Sequence, residues 1–250
     1  MDSILDIARR YDLKVIEDAA HALPAKYRGR AVGTIGDLTA FSFYATKNIT
    51  TAEGGMLTGS PELIDQARIW SLHGMSHDAW KRYSDEGSWY YEVIRPGFKY
   101  NMTDIAAAIG IQQLKKLPGF QTRRREIVSQ YNNAFSELGE LQIPFEKADV
   151  EHAWHLYVIR LNLELLKISR NQFIEELRTR NIGTSVHFIP VHLHPYYRDK
   201  YGYKPEDFPI TYREYQRIIS LPLYPKMSDQ DVEDVIWVVT DVVKRFSRKK

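Results

Sequence analysis

Lys47 has a sequence setting that points to covalent chemistry. It stands in SFYATKNITTAEGGM (42–56), after a Phe-rich apolar run and before two threonines and two glycines. An ordinary lysine has a pKa of about 10.4 and is almost fully protonated at neutral pH. A partly apolar setting can favour the neutral amine that bonds to a carbonyl carbon. Taken alone, a lysine in such a stretch is more often a solvated surface residue.

A carboxylate and an imidazole follow an earlier apolar run. Asp18 ends VIED, where α/β folds place ligand-contacting groups, and His21 comes three residues later. Pyridoxal phosphate acts as an electron sink when its ring nitrogen stays protonated, and a buried aspartate can hold that proton. His21 could then donate to the ring oxygen. The alternatives are a helix cap for Asp18 and an ordinary, half-buried histidine.

Two further polar residues could bind a phosphate. Ser42 lies five residues before Lys47, and Asn101 precedes a predicted helix start, where anions bind readily. The alternatives are a backbone hydrogen bond for Ser42 and a helix cap for Asn101. The run HFIPVHLH holds His187, His192 and His194. No carboxylate or cysteine completes a metal-binding spacing around them, so we predict no metal site.

The first hundred residues read as part of an α/β layer. Helical spacing covers 3–10 and 61–72, and strand-like runs end at Asp18 or cover 37–45 and 54–59. Three strands are too few for a parallel sheet with helices on both faces. We therefore expect the chain to begin in the middle of a larger domain. Residues 74–100 are irregular and suggest a functional loop.

The second half contains a different arrangement of predicted helices and strands. A helix over 103–117, with Thr103 as N-cap, precedes a long helix over about 121–138 that is expected to bridge two domains. Beyond 141 we predict a strand in HAWHLYVIRLN, a helix ending at Gly183, a strand in TSVHFIP and a helix capped by Ser228. These elements indicate a compact α+β domain.

Composition limits the class of protein. The 250 residues include 34 basic and 32 acidic side chains, a net charge of +2, which gives no general attraction to nucleic acid or to an anionic membrane. There is no cysteine. The N-terminus has no apolar signal core and no run approaches membrane-spanning length. A soluble cytoplasmic protein is the expectation.

Five motifs in order resemble one family. VIEDAAHA, FSFYATKNITTAEGGM, GFKYNMTDIAAAIGIQQLKKL, RNIGTSVHFIPVH and SLPLYP are similar to the DegT-type sugar-nucleotide aminotransferases, over about residues 1–245. The resemblance is nearest to enzymes that aminate C4 of a UDP-4-keto sugar, such as the UDP-4-amino-4-deoxy-L-arabinose–oxoglutarate aminotransferase. It implies an aspartate aminotransferase-like α/β fold (fold type I). Residues 1–120 would be the C-terminal part of a large mixed-sheet domain, 121–140 a bridging helix and 141–250 a small α+β domain.

The resemblance also implies roles for single residues. Lys47 would form the Schiff base with pyridoxal 5'-phosphate and shuttle protons, while Asp18 would pair with the pyridinium nitrogen. His21 would lie near the ring oxygen, Ser42 would bind the phosphate, and Asn101 would reach the cofactor phosphate of a neighbouring subunit. His187 would lie on a substrate-facing loop.

The implied reaction is ping-pong transamination in glycan or lipopolysaccharide biosynthesis. Glutamate would give its amine and leave as 2-oxoglutarate, and the amine would pass to a nucleotide-linked keto sugar, in a homodimer with shared active sites. Whether C3 or C4 is aminated stays open. Family members begin with a segment carrying a Ser-Gly-Thr phosphate loop and a stacking aromatic, which we expect to be missing from this chain. The alternatives are a non-catalytic fragment that acts as an interaction partner, or half of a split enzyme.

Overall fold

The structure is a computed structural model that describes residues 1–76 and 90–249. Its helices are α1 (Asp2–Arg10), α2 (Pro61–Ser71), α3 (Asp104–Phe135), α4 (Arg170–Arg178), α5 (Pro195–Tyr201), α6 (Pro209–Tyr215) and α7 (Asp229–Phe246). Its strands are β1 (Ile16–Asp18), β2 (Lys26–Tyr27), β3 (Arg30–Ala31), β4 (Leu38–Ser42), β5 (Gly55–Gly59), β6 (Leu141–Gln142), β7 (Val150–Glu151), β8 (Tyr157–Leu161) and β9 (Ile218–Leu221). None of the described helices combines the length and apolar content needed to cross a membrane.

The chain forms two compact units. The first unit comprises Met1–Pro118 and Glu146–Ala153, and the second comprises Gly119–Phe145 and Trp154–Lys250. Helix α3 contributes residues to both units, and the stretch before Trp154 returns to the first. The assignment of residues 1–120, 121–140 and 141–250 to domains and a bridge stays a prediction.

The first unit is organised around a mixed sheet with the strand order β1-β4-β5. Strands β1 and β4 are parallel, with Asp18 opposite Ala40, and β4 and β5 are antiparallel, with Ser42 opposite Gly55. The three strands lie where the apolar runs predicted them. The mixture of parallel and antiparallel pairing agrees with the predicted large-domain sheet.

The Glu-Gly-Gly run permits the close turn into β5. Gly54 has a φ of +148°, and a Cβ there would lie 2.5 Å from Thr51 Oγ1 and 3.0 Å from Met102 Cε. A Cβ on Gly55 would lie 2.6 Å from Phe41 O. Only glycine fits such approaches without displacement of a neighbour. The two glycines therefore let β5 enter beside β4.

A second sheet in the first unit was not predicted. Strands β3, β2 and β7 form an antiparallel sheet of two-residue strands, in which Lys26 lies opposite Glu151. Runs this short carry no alternation that a sequence pattern could reveal. The sheet holds the stretch Glu146–Ala153 to the first unit.

The second unit contains a continuous hydrophobic core. Strand β8 lies between β6 and β9, and its residues alternate between buried and half-buried positions. The buried members are Tyr157, Ile159 and Leu161. They belong to one cluster with apolar residues of α3, α4 and α7. This arrangement matches the predicted α+β layer.

The structure corrects three predicted elements. The helices expected over 103–117 and 121–138 are one helix, α3, which runs through Pro118. The helix expected to end at Gly183 ends at Arg178. The run TSVHFIP forms no strand but a single bridge between Ser185 and Ser220. One buried face of α3 continues past Pro118, which explains why the proline does not end the helix.

The irregular segment 74–100 is described only in part. Isolated bridges join Lys99 to Leu72, the residue after α2, and Met75 to Val93. Residues 77–89 lie outside the described residues, so the functional-loop prediction stays a prediction.

Candidate active site

Lys47 lies in the loop between β4 and β5. The base of this loop is closed by two hydrogen bonds, from Phe43 N to Gly54 O (2.8 Å) and from Thr51 N to Phe43 O (2.9 Å). The backbone nitrogen of Lys47 donates to Tyr44 O (2.9 Å), which forms a tight turn. The lysine residue is half-buried. The loop thus begins at the carboxyl end of β4 and carries Lys47 five residues beyond Ser42.

The sheet brings Asp18 and Ser42 to the same edge, at which the loop that carries Lys47 begins. Asp18 ends β1 opposite Ala40, and Ser42 ends the parallel strand β4 two residues later. Carboxyl ends of adjacent parallel strands meet at one edge of a sheet, which is where α/β folds bind ligands. Ser42 is half-buried, and its hydroxyl oxygen accepts weakly from Tyr44 N (3.4 Å).

The amine and the carboxylate are both available for a ligand. Within residues 1–76 and 90–249, neither Lys47 nor Asp18 takes part in an ion pair. One carboxylate oxygen of Asp18, Oδ1, accepts from Ala20 N (3.0 Å), and the residue is exposed. Asp18 shares one face of β1 with Ile16, which is 68% exposed, so this face of the strand is open to solvent among the described residues.

His21 follows β1 at the same edge. A hydrogen bond from Ala22 N to Ala19 O (3.0 Å) closes the turn that contains it, and the residue is exposed. The turn keeps the backbone of His21 near the carboxyl end of β1, where Asp18 lies.

Asn101 lies beside the base of the Lys47 loop. It accepts a hydrogen bond from Lys99 Nζ, and its own amide donates to Met102 O (3.4 Å). Thr103, as predicted, caps α3, since its hydroxyl accepts from Ala106 N (3.2 Å). The cap role considered for Asn101 is therefore filled by Thr103. Met102 lies against Gly54, which brings the chain at Asn101 close to the loop.

His187 belongs to the second unit. Its ring is half-buried, and Nδ1 lies 2.7 Å from Ser220 Oγ on β9. His192 is buried and its ring lies 4.6 Å from that of Phe208, while His194 is exposed. Across the described part of the chain, no three His, Cys, Asp or Glu side chains converge on a metal position.

The second unit also holds a cavity and a buried cation. The cavity, about 480 Å³, lies between Arg180–Gly183 and the first turns of α7, and no predicted site residue lines it. The guanidinium of Arg124 donates to Trp154 O and Leu223 O, each at 2.9 Å, and burial lowers the pKa of Arg124 to about 10. Because its partners are backbone carbonyls, Arg124 serves the fold of this unit.

Sequence reasoning passed over Asn48, which directly follows Lys47. Asn48 is 8% exposed, and its side-chain amide nitrogen donates to Leu23 O and Ala153 O. An asparagine between an exposed turn and the buried Ile49 was the available signal. Ala153 is distant in sequence, so no local pattern identifies it as the partner.

The donor set at this edge fits pyridoxal phosphate. The cofactor offers an aldehyde, a ring nitrogen that must keep a proton, and a phosphate. The edge and its loop provide an amine that forms no ion pair with any described residue, an exposed carboxylate and a hydroxyl beside a loop with backbone N–H groups. Each group of the cofactor therefore has a side chain of suitable chemistry on the first unit.

Comparison with known proteins gives consistent matches. A family model described as the DegT/DnrJ/EryC1/StrS aminotransferase family matches residues 1–240. "Uncharacterized protein MJ1066" of Methanocaldococcus jannaschii is 61% identical over 244 residues, which are 97% of this chain and 63% of that protein. "Spore coat polysaccharide biosynthesis protein SpsC" of Bacillus subtilis is 55% identical over 246 residues, 98% of this chain and 63% of that protein. This chain thus spans about 63% of the length of either relative.

Solved structures of aminotransferases also match this chain. Spr1654 of Streptococcus pneumoniae in a PMP form has a TM-score of 0.83 at 34% identity, covering 96% of this chain and 61% of that one. The same protein has been solved in a PLP form. PseC of Helicobacter pylori, an aminotransferase involved in the biosynthesis of pseudoaminic acid, has a TM-score of 0.84 at 26% identity. It covers 98% of this chain and 63% of its own.

Proposed function

We propose, because the chain belongs to the DegT/DnrJ/EryC1/StrS aminotransferase family, that the Lys47 edge binds pyridoxal 5'-phosphate for transamination of a sugar. The observation that carries the proposal is the meeting of Asp18 and Ser42 at the ends of adjacent parallel strands, with Lys47 in the next loop. The PLP and PMP forms of Spr1654 support the choice of cofactor.

Each residue of the edge has a defined task in this proposal. The bound cofactor supplies an electron sink for the carbon that loses a proton. Lys47 Nζ would hold the cofactor through its aldehyde carbon, whose oxygen leaves as water, and, once displaced by the amine of the donor, would move a proton between cofactor and substrate carbons. The Asp18 carboxylate would keep the proton on the ring nitrogen. His21 would donate to the ring oxygen, and the Ser42 hydroxyl would donate to the phosphate.

The finer proposal concerns the substrates and the assembly. We propose glutamate as amino donor and a nucleotide-linked keto sugar, a UDP-4-keto sugar first, as acceptor, with His187 facing that sugar. The glutamate amino group would end on the sugar carbon and its carbon skeleton would leave as 2-oxoglutarate. The names of SpsC and PseC, which refer to polysaccharide and pseudoaminic acid biosynthesis, support a sugar acceptor. Asn101 would act across a homodimer.

Covalent trapping on Lys47 tests the cofactor proposal. The chain is incubated with pyridoxal phosphate, reduced with borohydride, digested and mapped by mass spectrometry. We expect a visible yellow colour before reduction and a phosphopyridoxyl group on Lys47, because groups that bind the ring and the phosphate would raise the effective concentration of the aldehyde at this amine. Lys47→Ala should lose both signals.

The matched control for this experiment is Lys115→Ala, which removes an exposed lysine of α3 and should leave both signals unchanged. A colourless wild-type chain, or label spread evenly over exposed lysines, would overturn the proposal. Addition of L-glutamate to the yellow protein tests the donor. The colour should bleach and 2-oxoglutarate should appear, and bleaching by L-alanine at the same rate would exclude glutamate as the specific donor.

A further inference from the structure

The side chain of Asn48 is anchored between two backbone carbonyls. Its Nδ2 donates to Leu23 O and to Ala153 O, each at 2.8 Å. A carboxamide nitrogen carries two hydrogens, so it can serve two carbonyls at once. Asn48 is 8% exposed and Ala153 is 2% exposed, so water cannot easily replace the bond between them, whereas the bond to the half-buried Leu23 is only partly shielded.

The two carbonyls belong to segments that matter for the candidate site. Leu23 lies two residues after His21 and five after Asp18, in the connection that leaves the sheet edge. Ala153 ends the stretch that β7 holds to β2. Through Asn48, the loop that carries Lys47 is therefore joined to the segment that follows the Asp18 strand.

This anchor complements the closure at the base of the loop. Phe43, Thr51 and Gly54 join the two ends of the loop through backbone hydrogen bonds. Thr50 Oγ1 adds a bond to Phe43 O (3.1 Å). These contacts fix the ends, whereas Asn48 fixes the far side, one residue from the amine. A loop that is fixed both at its base and at Asn48 holds the backbone of Lys47 in a defined position relative to the carboxyl ends of β1 and β4.

We propose that Asn48 is a positioning residue that sets where the Lys47 amine stands relative to the Asp18 carboxylate. The inference rests on the proposed function, since it assigns Asn48 a role only if Lys47 captures the cofactor. Misplacement of a reacting group by about 1 Å can cost about a hundredfold in rate. Loss of the anchor should therefore slow reaction at Lys47 more than it unfolds the protein.

The informative variants are Asn48→Ala and Asn48→Asp. Alanine removes both donors, and aspartate keeps the shape but, when ionised, sets an acceptor against two carbonyl oxygens. The matched control is Thr39→Val, which removes another buried hydrogen bond of the first unit, from Thr39 Oγ1 to Glu17 Oε1 (3.0 Å). Thr39 is 1% exposed and lies in β4 outside the loop.

The readout is the ratio of phosphopyridoxyl label on Lys47 to label on exposed Lys115 in the same molecules, after brief exposure to pyridoxal phosphate and borohydride. We expect this ratio to fall about tenfold or more in both Asn48 variants and to stay unchanged in Thr39→Val. Thermal unfolding of each variant reports stability separately. If Asn48→Ala does not fold, Asn48→Ser, which keeps one donor, should give an intermediate ratio.

The outcomes separate the two proposals. If wild-type chain shows no preference for Lys47, the proposed function fails, and this inference fails with it. If wild type shows the preference and the Asn48 variants keep it while losing stability like Thr39→Val, Asn48 is a structural residue and the inference alone is overturned.

Discussion

Asp18 is exposed because it lies on the open face of β1 that it shares with Ile16. The sequence suggested a buried aspartate that holds a ring proton, whereas the residue is exposed and one oxygen bonds to Ala20 N. A carboxylate in water interacts more weakly with a cation than a buried one does. The proposed role of Asp18 therefore depends on its position rather than on burial. It ends β1 beside β4, the strand that leads to the Lys47 loop.

Asp18→Asn tests that task. The change removes the charge and keeps the shape, so a protonated ring nitrogen loses its ionic partner. A hydrogen bond to a charged group is the stronger kind, and we expect the affinity for pyridoxal phosphate to fall about ten- to hundredfold. Absorbance titration measures the affinity. Asp12→Asn, at an exposed carboxylate between α1 and β1, is the control and should bind as wild type does.

Unchanged affinity in Asp18→Asn would contradict the assignment of this carboxylate. Asp18, Ser42 and Lys47 could all be chosen from sequence, because strand ends and residue types are local signals. Their proximity rests on the parallel pairing of β1 with β4, which joins residues 22 positions apart, Ile16 with Leu38 for example. That pairing is a tertiary property and could only be expected by analogy with the family.

Helix α7 is the element that its sequence specified best. Ser228 was predicted as N-cap, and it forms a capping box: its backbone N and its hydroxyl both donate to Asp231 Oδ2 at 2.8 Å. Both bonds lower the pKa of Asp231 from its usual 3.8, and the bond from the backbone nitrogen of Ser228 has the larger effect. Capping boxes are read easily because donor and acceptor are three residues apart.

The lowered pKa of Asp231 predicts a pH dependence of stability. Because the native pKa lies below the unfolded value, the ionised box stabilises the fold above about pH 3.8 and loses this contribution as pH falls through the native pKa. Asp231→Asn should therefore lose less stability than wild type between about pH 7 and about pH 3. Urea unfolding at both values measures it. Equal losses in the two proteins would contradict the prediction.

Helix α3 shows where local patterns failed. Pro118 has no N–H to donate to the carbonyl four residues earlier, yet the two helices predicted over 103–117 and about 121–138 form one helix through it. Buried positions nevertheless continue across it, through Leu117, Gln121 and Arg124 to Ile127. Packing along this face outweighs the local cost of the proline. The strand predicted in TSVHFIP is absent for a different reason. Its apolar residues Phe188 and Ile189 are exposed and pair with no strand of the described chain.

The motif order along the whole chain predicted more than any single element. The predicted family and the fold type I class are confirmed by the family match and by the structural neighbours. Secondary-structure patterns alone would have given an α/β layer followed by an α+β domain. The substrate and the dimer depend on surfaces whose partners no local pattern specifies, and they stay proposals.

The first part of α3 offers a test of the homodimer. Ile105 and Ile109, one turn apart, are 77% and 44% exposed. Apolar side chains at this spacing would be covered in a dimer, with a gain from each buried isoleucine. The double change Ile105→Lys and Ile109→Lys should therefore shift the chain to monomer in sedimentation velocity experiments.

The control for this test adds the same charges with the same spacing to the same helix. Ser129→Lys and Asn133→Lys are at exposed polar positions of α3 and should leave the association state as in wild type. A wild-type chain that is monomeric at all concentrations, or a dimer that tolerates both isoleucine changes, would argue against a second copy on this face.

The anchor of Asn48 also constrains the order of events during synthesis. One of its carbonyl partners lies 25 residues earlier in the chain, but the other lies 105 residues later. While the ribosome is still making α3, the nascent Lys47 loop can be closed at its base and joined to Leu23. It acquires its last fixed contact only after Ala153 has emerged. The nucleophile of the proposed site is thus placed late, although it precedes Ala153 by more than a hundred residues.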